Sequence, residues 1–253
     1  MRAFSTRAAL AAAALLLAAC APSTAGRGSF APALAVSPAG DVAWTVGGRA
    51  FIARPPAYRA AAADAPALAS DLAWRGGELW LALPGAGLLY RAGGVPASVE
   101  LPGRPLRLTA TLAFAEGGNV HDARGALHSR LPGTPDAVLE AGGSAWAVVA
   151  GTVYEVLPGR AVAREKLPDS LPAATLLPAG RGYAVVSGPA TQSGASRYFP
   201  GAGGPVRAAA PSGNTGGLIA SGGEVLATLD SGRVRVYTLP DLKPLADIPL
   251  EVK

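Results

Sequence analysis

Gly76-Gly77-Glu78-Leu79-Trp80-Leu81-Ala82-Leu83 puts a tight turn directly before a short apolar strand. Two glycines supply the positive φ that a hairpin turn needs, and the run that follows is bounded by further turn residues. The phrase returns as Gly142-Gly143-Ser144-Ala145-Trp146-Ala147-Val148-Val149, Gly180-Arg181-Gly182-Tyr183-Ala184-Val185-Val186 and Gly222-Gly223-Glu224-Val225-Leu226-Ala227-Thr228-Leu229. Counted from Gly77, Gly143, Gly180 and Gly223, a large side chain stands three places on each time.

Two looser copies precede or interrupt these. Gly40-Asp41-Val42-Ala43-Trp44 carries its aromatic one residue later, and Gly117-Gly118-Asn119-Val120-His121 puts histidine at the shared position. Each phrase is followed by a glycine turn and a second short run, around Ile52, Tyr90, His128, Tyr154, Tyr198 and Tyr237. In Arg233-Val234-Arg235-Val236-Tyr237 the period of two places Val234 and Val236 on one face. Turn, strand, turn and return strand make a hairpin, six times over.

The six return runs are separated by 38, 38, 26, 44 and 39 residues, with a mean of 37. A four-stranded propeller blade takes about 40–45 residues. A small sheet with apolar faces buries them by stacking between like neighbours around an axis. The expected fold is therefore all-β, a six-bladed β-propeller with irregular blades, and the 26-residue interval between His128 and Tyr154 marks its expected defective blade. A β-sandwich or barrel is the competing arrangement, favoured by irregular spacing.

The copies resemble the broad propeller superfamily in layout alone: no Trp-Asp dipeptide, kelch signature or quinone-binding repeat recurs. The resemblance implies a ring closed by joining the last strand, Leu245 to Val252, to residues near Ala33-Leu34-Ala35-Val36. Arg59-Ala60-Ala61-Ala62-Ala63-Asp64 reads as a loop, its alanines a compositional habit.

Ahead of the repeats stands MRAFSTRAALAAAALLLAAC, residues 1–20. Arg2 and Arg7 are its charges, and residues 8–19 are alanine and leucine throughout, the layout of an export signal. Twelve apolar residues are fewer than the roughly 20 needed to span a bilayer. Leu17-Ala18-Ala19-Cys20 resembles the bacterial lipobox, and Cys20 is the sole cysteine of the chain. That resemblance implies cleavage before Cys20, a diacylglycerol thioether on its sulfur and acylation of the new amine. Two or three acyl chains anchor stably where one does not. Ala21, rather than Asp, follows the cysteine, which in that family implies the outer membrane where there are two. The expected organisation is a signal peptide over 1–19, a lipidated flexible tether over 20–29 and a propeller domain over 30–253, held at the cell membrane or outer membrane on its extracytoplasmic side.

The 234 residues after the signal hold 20 basic against 17 acidic side chains. The arginines are evenly spread, with no block to track a phosphate backbone, so nucleic acid is not an expected partner. With no cysteine beyond Cys20, disulfides within the mature chain are excluded and stability comes from packing.

Catalytic candidates are few. His121 and Asp122 invite an acid–base reading, yet His121 occupies a repeated strand position, and Asp122 next to it points to the opposite face. His128 faces His121 across the expected hairpin, but two imidazoles without a third ligand make a thin metal site. Glu78 and Glu224 stand at equivalent places after glycine pairs and read as turn acids rather than a glycosidase pair. Trp44, Trp80 and Trp146 read as inter-blade packing in common register with Leu226. The longest insertion, 187–197, is an exposed loop bracketed by Arg181 and Arg197, suited to an acidic partner.

No nucleophile elbow or phosphate loop occurs, and no catalytic, cofactor or metal residue is assigned. The expected function is that of a lipid-anchored binding or scaffold protein of the cell envelope, its partners the membrane and another envelope protein. The alternative is an envelope hydrolase or lyase with its site in the propeller channel.

Overall fold

In the computed structural model of the chain the described residues are 30–141, 143–167, 174–179, 182–187, 197–199, 204–205, 218–230 and 232–250. They form six four-stranded antiparallel sheets, each built from consecutive strands. Sheet one holds β1 (Ala33–Val36), β2 (Val42–Val46), β3 (Arg49–Ala53) and β4 (Ala61–Ala62). Sheet two holds β5 (Asp71–Arg75), β6 (Glu78–Leu83), β7 (Leu88–Ala92) and β8 (Ala97–Glu100). Sheet three holds β9 (Pro105–Leu108), β10 (Leu112–Ala115), β11 (Asn119–Asp122) and β12 (Leu127–Arg130). Sheet four holds β13 (Ala137–Ala141), β14 (Ser144–Val149), β15 (Thr152–Leu157) and β16 (Arg160–Lys166). Sheet five holds β17 (Ala174–Ala179), β18 (Gly182–Ser187), β19 (Arg197–Phe199) and β20 (Gly204–Pro205). Sheet six holds β21 (Leu218–Gly222), β22 (Val225–Asp230), β23 (Arg233–Thr238) and β24 (Pro244–Pro249). These sheets resemble propeller blades.

The first strands of successive sheets meet one another, β1 with β5, β5 with β9, β9 with β13 and β13 with β17, and β21 meets β1. Between sheets lie shared apolar layers. Ala43 and Ile52 pack on Leu72, Leu79 and Leu81, and Ala73, Ala82 and Leu89 pack on Leu101, Leu108 and Ala113. Phe114 and Val120 pack on Ala145, Ala147 and Val156. Because both faces of a strand are buried this way, its residues alternate between two neighbours rather than between core and water.

The glycine phrase opens the second strand in sheets one, two, four, five and six, and the run after it is the third. Sheet three departs from this. There the phrase at Gly117-Gly118 opens the third strand, β11, and Leu127-His128 lies in the fourth, β12. The short interval is therefore a register slip of one strand, and the expected defective blade is a complete four-stranded sheet. Measured to His121 on the third strand, the intervals either side become 31 and 33 residues.

Three further expectations are corrected. The last strand does not complete the first sheet: β24 pairs with β23, and β1 pairs with β2. The alanines after Arg59 are not all loop, since Ala61–Ala62 is the outermost strand β4, paired to Ile52 and Phe51. Nor do the large side chains share one register. Trp80 and Trp146 stand two places after the residues that close their hairpins, Glu78 and Ser144, whereas Gly222 already pairs with Val225, so the sixth turn is Gly223-Glu224 and Leu226 is displaced by one. Trp44, offset in sequence, goes to the opposite face: it packs into the layer shared with sheet six.

That layer joins the ends of the described chain. Trp44 is fully buried, stacked on Phe51 at 5.7 Å, among Val225, Ala227, Leu229, Val234 and Val236 of sheet six. The backbones approach closely there, for a Cβ on Gly222 would lie 2.5 Å from the carbonyl oxygens of Val36 and Ser37. Only glycine fits. Gly222→Ala is expected to cost about 1–3 kcal/mol by overpacking, lowering the melting temperature by several degrees. Gly85→Ala, at a site with open space around it, serves as the control and is expected within about 0.5 kcal/mol of the parent. Equal melting temperatures for the two variants would contradict the close seam.

Candidate functional site

Alternation on β5 sends Leu72 and Trp74 toward sheet one and Asp71, Ala73 and Arg75 toward sheet three. The two charged residues act there as latches. Asp71 accepts from the Leu108 amide at 2.8 Å and the Leu72 amide at 2.9 Å. Arg75 donates to the Thr109 carbonyl at 3.1 Å and the Leu112 carbonyl at 2.8 Å, and its guanidinium lies over the Trp80 ring at 5.8 Å. Next to them the Ser70 hydroxyl donates to the Leu106 carbonyl at 3.1 Å, with the Pro105 carbonyl at 3.3 Å as the alternative acceptor. Arg107 reaches the Ser70 and Asp136 carbonyls, and Glu140 accepts from the Thr111 amide and hydroxyl. Polar side chains thus tie the second, third and fourth sheets together through backbone groups.

Burial shifts both latches toward their neutral forms. It raises the Asp71 carboxyl above the ordinary carboxylate range, against the lowering effects of Arg107 and the two amides. It lowers the Arg75 guanidinium, which Glu140 partly restores. None of these four residues stood out in the sequence, because the groups they bind lie about thirty residues or more further along the chain or belong to another sheet.

The residues that did stand out are dispersed and locally engaged. His121 is fully buried, its Nδ1 3.1 Å from the Gly125 carbonyl. Its cross-strand partner is Leu127 rather than His128, which sits at a bulge. The Asp122 carboxylate accepts from the Arg124 and Ala126 amides, and these bonds hold its pKa below the usual range. Glu78 pairs with Arg91 at 2.6 Å on sheet two, while Glu224 is exposed in a turn of sheet six, so the two are not equivalent. Among the described residues no three His, Cys, Asp or Glu side chains are grouped to hold a metal. Trp44, Trp80 and Trp146 do pack at sheet faces. Cys20, the tether, Arg181 and the loop 188–196 lie outside the described residues.

A concave surface among the described residues lies elsewhere. A cleft of about 460 Å³ opens between sheets one and two, lined by Ile52, Arg54, Arg59, Ala61–Asp64, Tyr90, Gly93, Gly94 and Pro96. The connection from β3 to β4 forms one wall and the β7–β8 turn the other. The alanines of β4 carry too little side chain to fill the space. The sequence carried no signal for this cleft beyond the alanine run itself.

No protein-family model and no curated protein matches the chain. Among solved structures, the β-propeller domain of Myceliophteria thermophila Cps50 (Swd1) is similar with a TM-score of 0.55, at 15% identity over 82% of each chain. YCF48, in a structure bound to D1 peptide, is similar with a TM-score of 0.54, at 11% identity over 86% of this chain and 82% of that one. At such identities the likeness establishes the propeller-like fold alone.

The latch at Asp71 is testable through its ionisation. Asp71→Ala removes the acceptor for two amides and is expected to cost about 1–3 kcal/mol. A raised folded pKa means that the folded state holds the proton more tightly than the unfolded chain, so the parent loses stability as pH rises through the window above about 4. The variant lacks that loss. The gap between their denaturation free energies is expected to narrow as pH rises through this window; a gap that widens would contradict burial of the carboxyl.

Proposed function

We propose that the chain is a lipid-anchored scaffold protein of the cell envelope, in which six blades close into a ring and one inter-blade surface binds another protein. Sheet five completes the ring between sheets four and six. The lipobox resemblance at Leu17-Ala18-Ala19-Cys20 supports the anchor, and the acyl chains confine the domain to a membrane, so that encounters with a partner occur in two dimensions. One observation carries the binding reading. The charged side chains between sheets two, three and four are committed to backbone groups, whereas the cleft between sheets one and two presents two arginines on an open concave surface. Of the similar folds, YCF48 holds a peptide, so a protein of this architecture serves for such recognition. The inter-blade layers leave the scaffold rigid, and rigidity reduces the ordering cost of association.

Expression of the tagged full-length chain in a bacterium fed radiolabelled palmitate tests the anchor, with affinity capture from detergent-solubilised envelopes testing the partner. The parent is expected to take up label and Cys20→Ser to take up none. The parent is also expected to recover the same envelope protein in repeated captures. Label retained by Cys20→Ser would overturn the anchor, and captures without a reproducible partner would overturn the scaffold role.

A further inference from the structure

We infer that the cleft between the first and second sheets receives an acidic polypeptide segment in extended conformation, with its carboxylates on Arg54 and Arg59 and its backbone along the outer edge of β4. This inference rests on the scaffold reading and names the chemistry of the partner.

Charge is the first support. The lining carries two guanidinium groups against one carboxylate, Asp64. Arg59 makes no ion pair among the described residues, and the contact from Arg54 to Asp41 is long, at 3.7 Å, with the Arg54 side chain 63% exposed. Elsewhere several arginines are neutralised by a cross-strand carboxylate, Arg91 by Glu78 beside the cleft, Arg164 by Glu155 on sheet four and Arg233 by Asp247 on sheet six. Arg54 and Arg59 lack such a close partner, so the cleft keeps positive charge. Arginine is also the side chain best suited to grip a carboxylate through two parallel bonds.

Backbone geometry is the second. On β4, Ala61 pairs with Ile52 and the Ala63 amide donates to the Ala50 carbonyl, so by antiparallel alternation the amide and carbonyl of Ala62 point away from β3. An extended chain laid along that edge gains main-chain hydrogen bonds, the mode by which a strand is added to a sheet. Most edges of this kind are blunted by side chains, but here the residues are alanines and access is open.

Preorganisation is the third. Tyr58 sits between the two arginines and is buried; its amide donates to the Arg54 carbonyl at 2.8 Å and its hydroxyl to the Gly40 carbonyl at 3.3 Å. The segment bearing both arginines is thereby pinned before any partner arrives. Opposite, Gly93 and Gly94 keep the second wall low, half-buried Tyr90 adds apolar surface to that of Ile52 on β3, and Val95 at the turn tip is 77% exposed. Alternate residues of an extended acidic segment meet both the arginines and this surface. Two arginines are too few to follow a phosphate backbone, which sets a peptide ahead of a nucleic-acid strand.

The test is fluorescence anisotropy on the full-length chain in detergent, with a labelled decapeptide of alternating Glu and Val and a second in which Gln replaces Glu. The Glu peptide is expected to bind about tenfold or more tightly than the Gln peptide and to weaken as salt rises. Arg54→Gln with Arg59→Gln is expected to weaken it about tenfold, while Arg160→Gln on sheet four leaves it unchanged and both variants melt as the parent does. Equal affinity for the two peptides, an unchanged affinity in the double variant, or displacement of the peptide by oligothymidylate would each overturn the inference. Envelope capture with the double variant separates the two readings. If parent and variant recover the same partner, the cleft is wrong and the scaffold stands; if neither recovers one, the scaffold fails whatever the peptide does.

Discussion

A small sheet that is apolar on both faces has nowhere to put them alone. The second sheet is in that position: Leu79 and Leu81 of β6 face one way and Trp80 and Ala82 the other, and both sets lie in layers shared with a neighbour. The first sheet has the same need, and it is met from the far end of the sequence, where Val225, Ala227, Val234 and Val236 cover Trp44 and Val42. Without that seam a fully buried tryptophan and its stacked phenylalanine would meet water. A large aromatic buries some 150–250 Å² on its own, so loss of the contact between first and last sheets would expose a large apolar area.

The seam is made by packing, with no strand exchanged. Sheet six is built wholly from C-terminal strands and sheet one wholly from N-terminal ones. What closes the gap is the fit of side chains and the bare backbone of Gly222 against Val36 and Ser37. Between sheets two, three and four the packing is supplemented by Asp71, Arg75 and Arg107, whose charges are spent on backbone amides and carbonyls. The polar groups between these sheets are hence structural. At the outer end of sheets one and two the alanines of β4 withdraw, and the arginines there are left to meet something else.

Much of this was legible in the sequence. Gly76, Gly77 and Gly143 before β6 and β14 have positive φ, and short apolar runs follow them, so turn and strand chemistry announced both hairpins. The same logic explains the misreadings. One residue of offset reverses a side chain's face, so Trp44, one place late, belongs to a different layer from Trp80, and Glu224 is a turn residue where Glu78 is a strand residue. The phrase at Gly117-Gly118 looks like the other copies because nothing local distinguishes a turn between strands one and two from one between two and three. The latches were illegible for a different reason: Asp71 and Leu108 are made neighbours by the stacking of sheets, a relation that no local pattern encodes. The cleft arises from side chains that are missing, and an alanine run in an alanine-rich chain carries little signal.

The packing of the last sheet on the first can be read directly with a disulfide. A Cβ built on Gly40 lies 3.9 Å from the Cβ of Val225, within the span that a cystine bridges, and the two residues are far apart in sequence. With Cys20→Ser as background, Gly40→Cys and Val225→Cys together are expected to form an intramolecular cross-link on mild oxidation of the folded protein, seen as faster migration on a non-reducing gel and lost when the chain is unfolded before oxidation. Free thiols persisting in the folded protein, or cross-links that form only between molecules, would contradict the account.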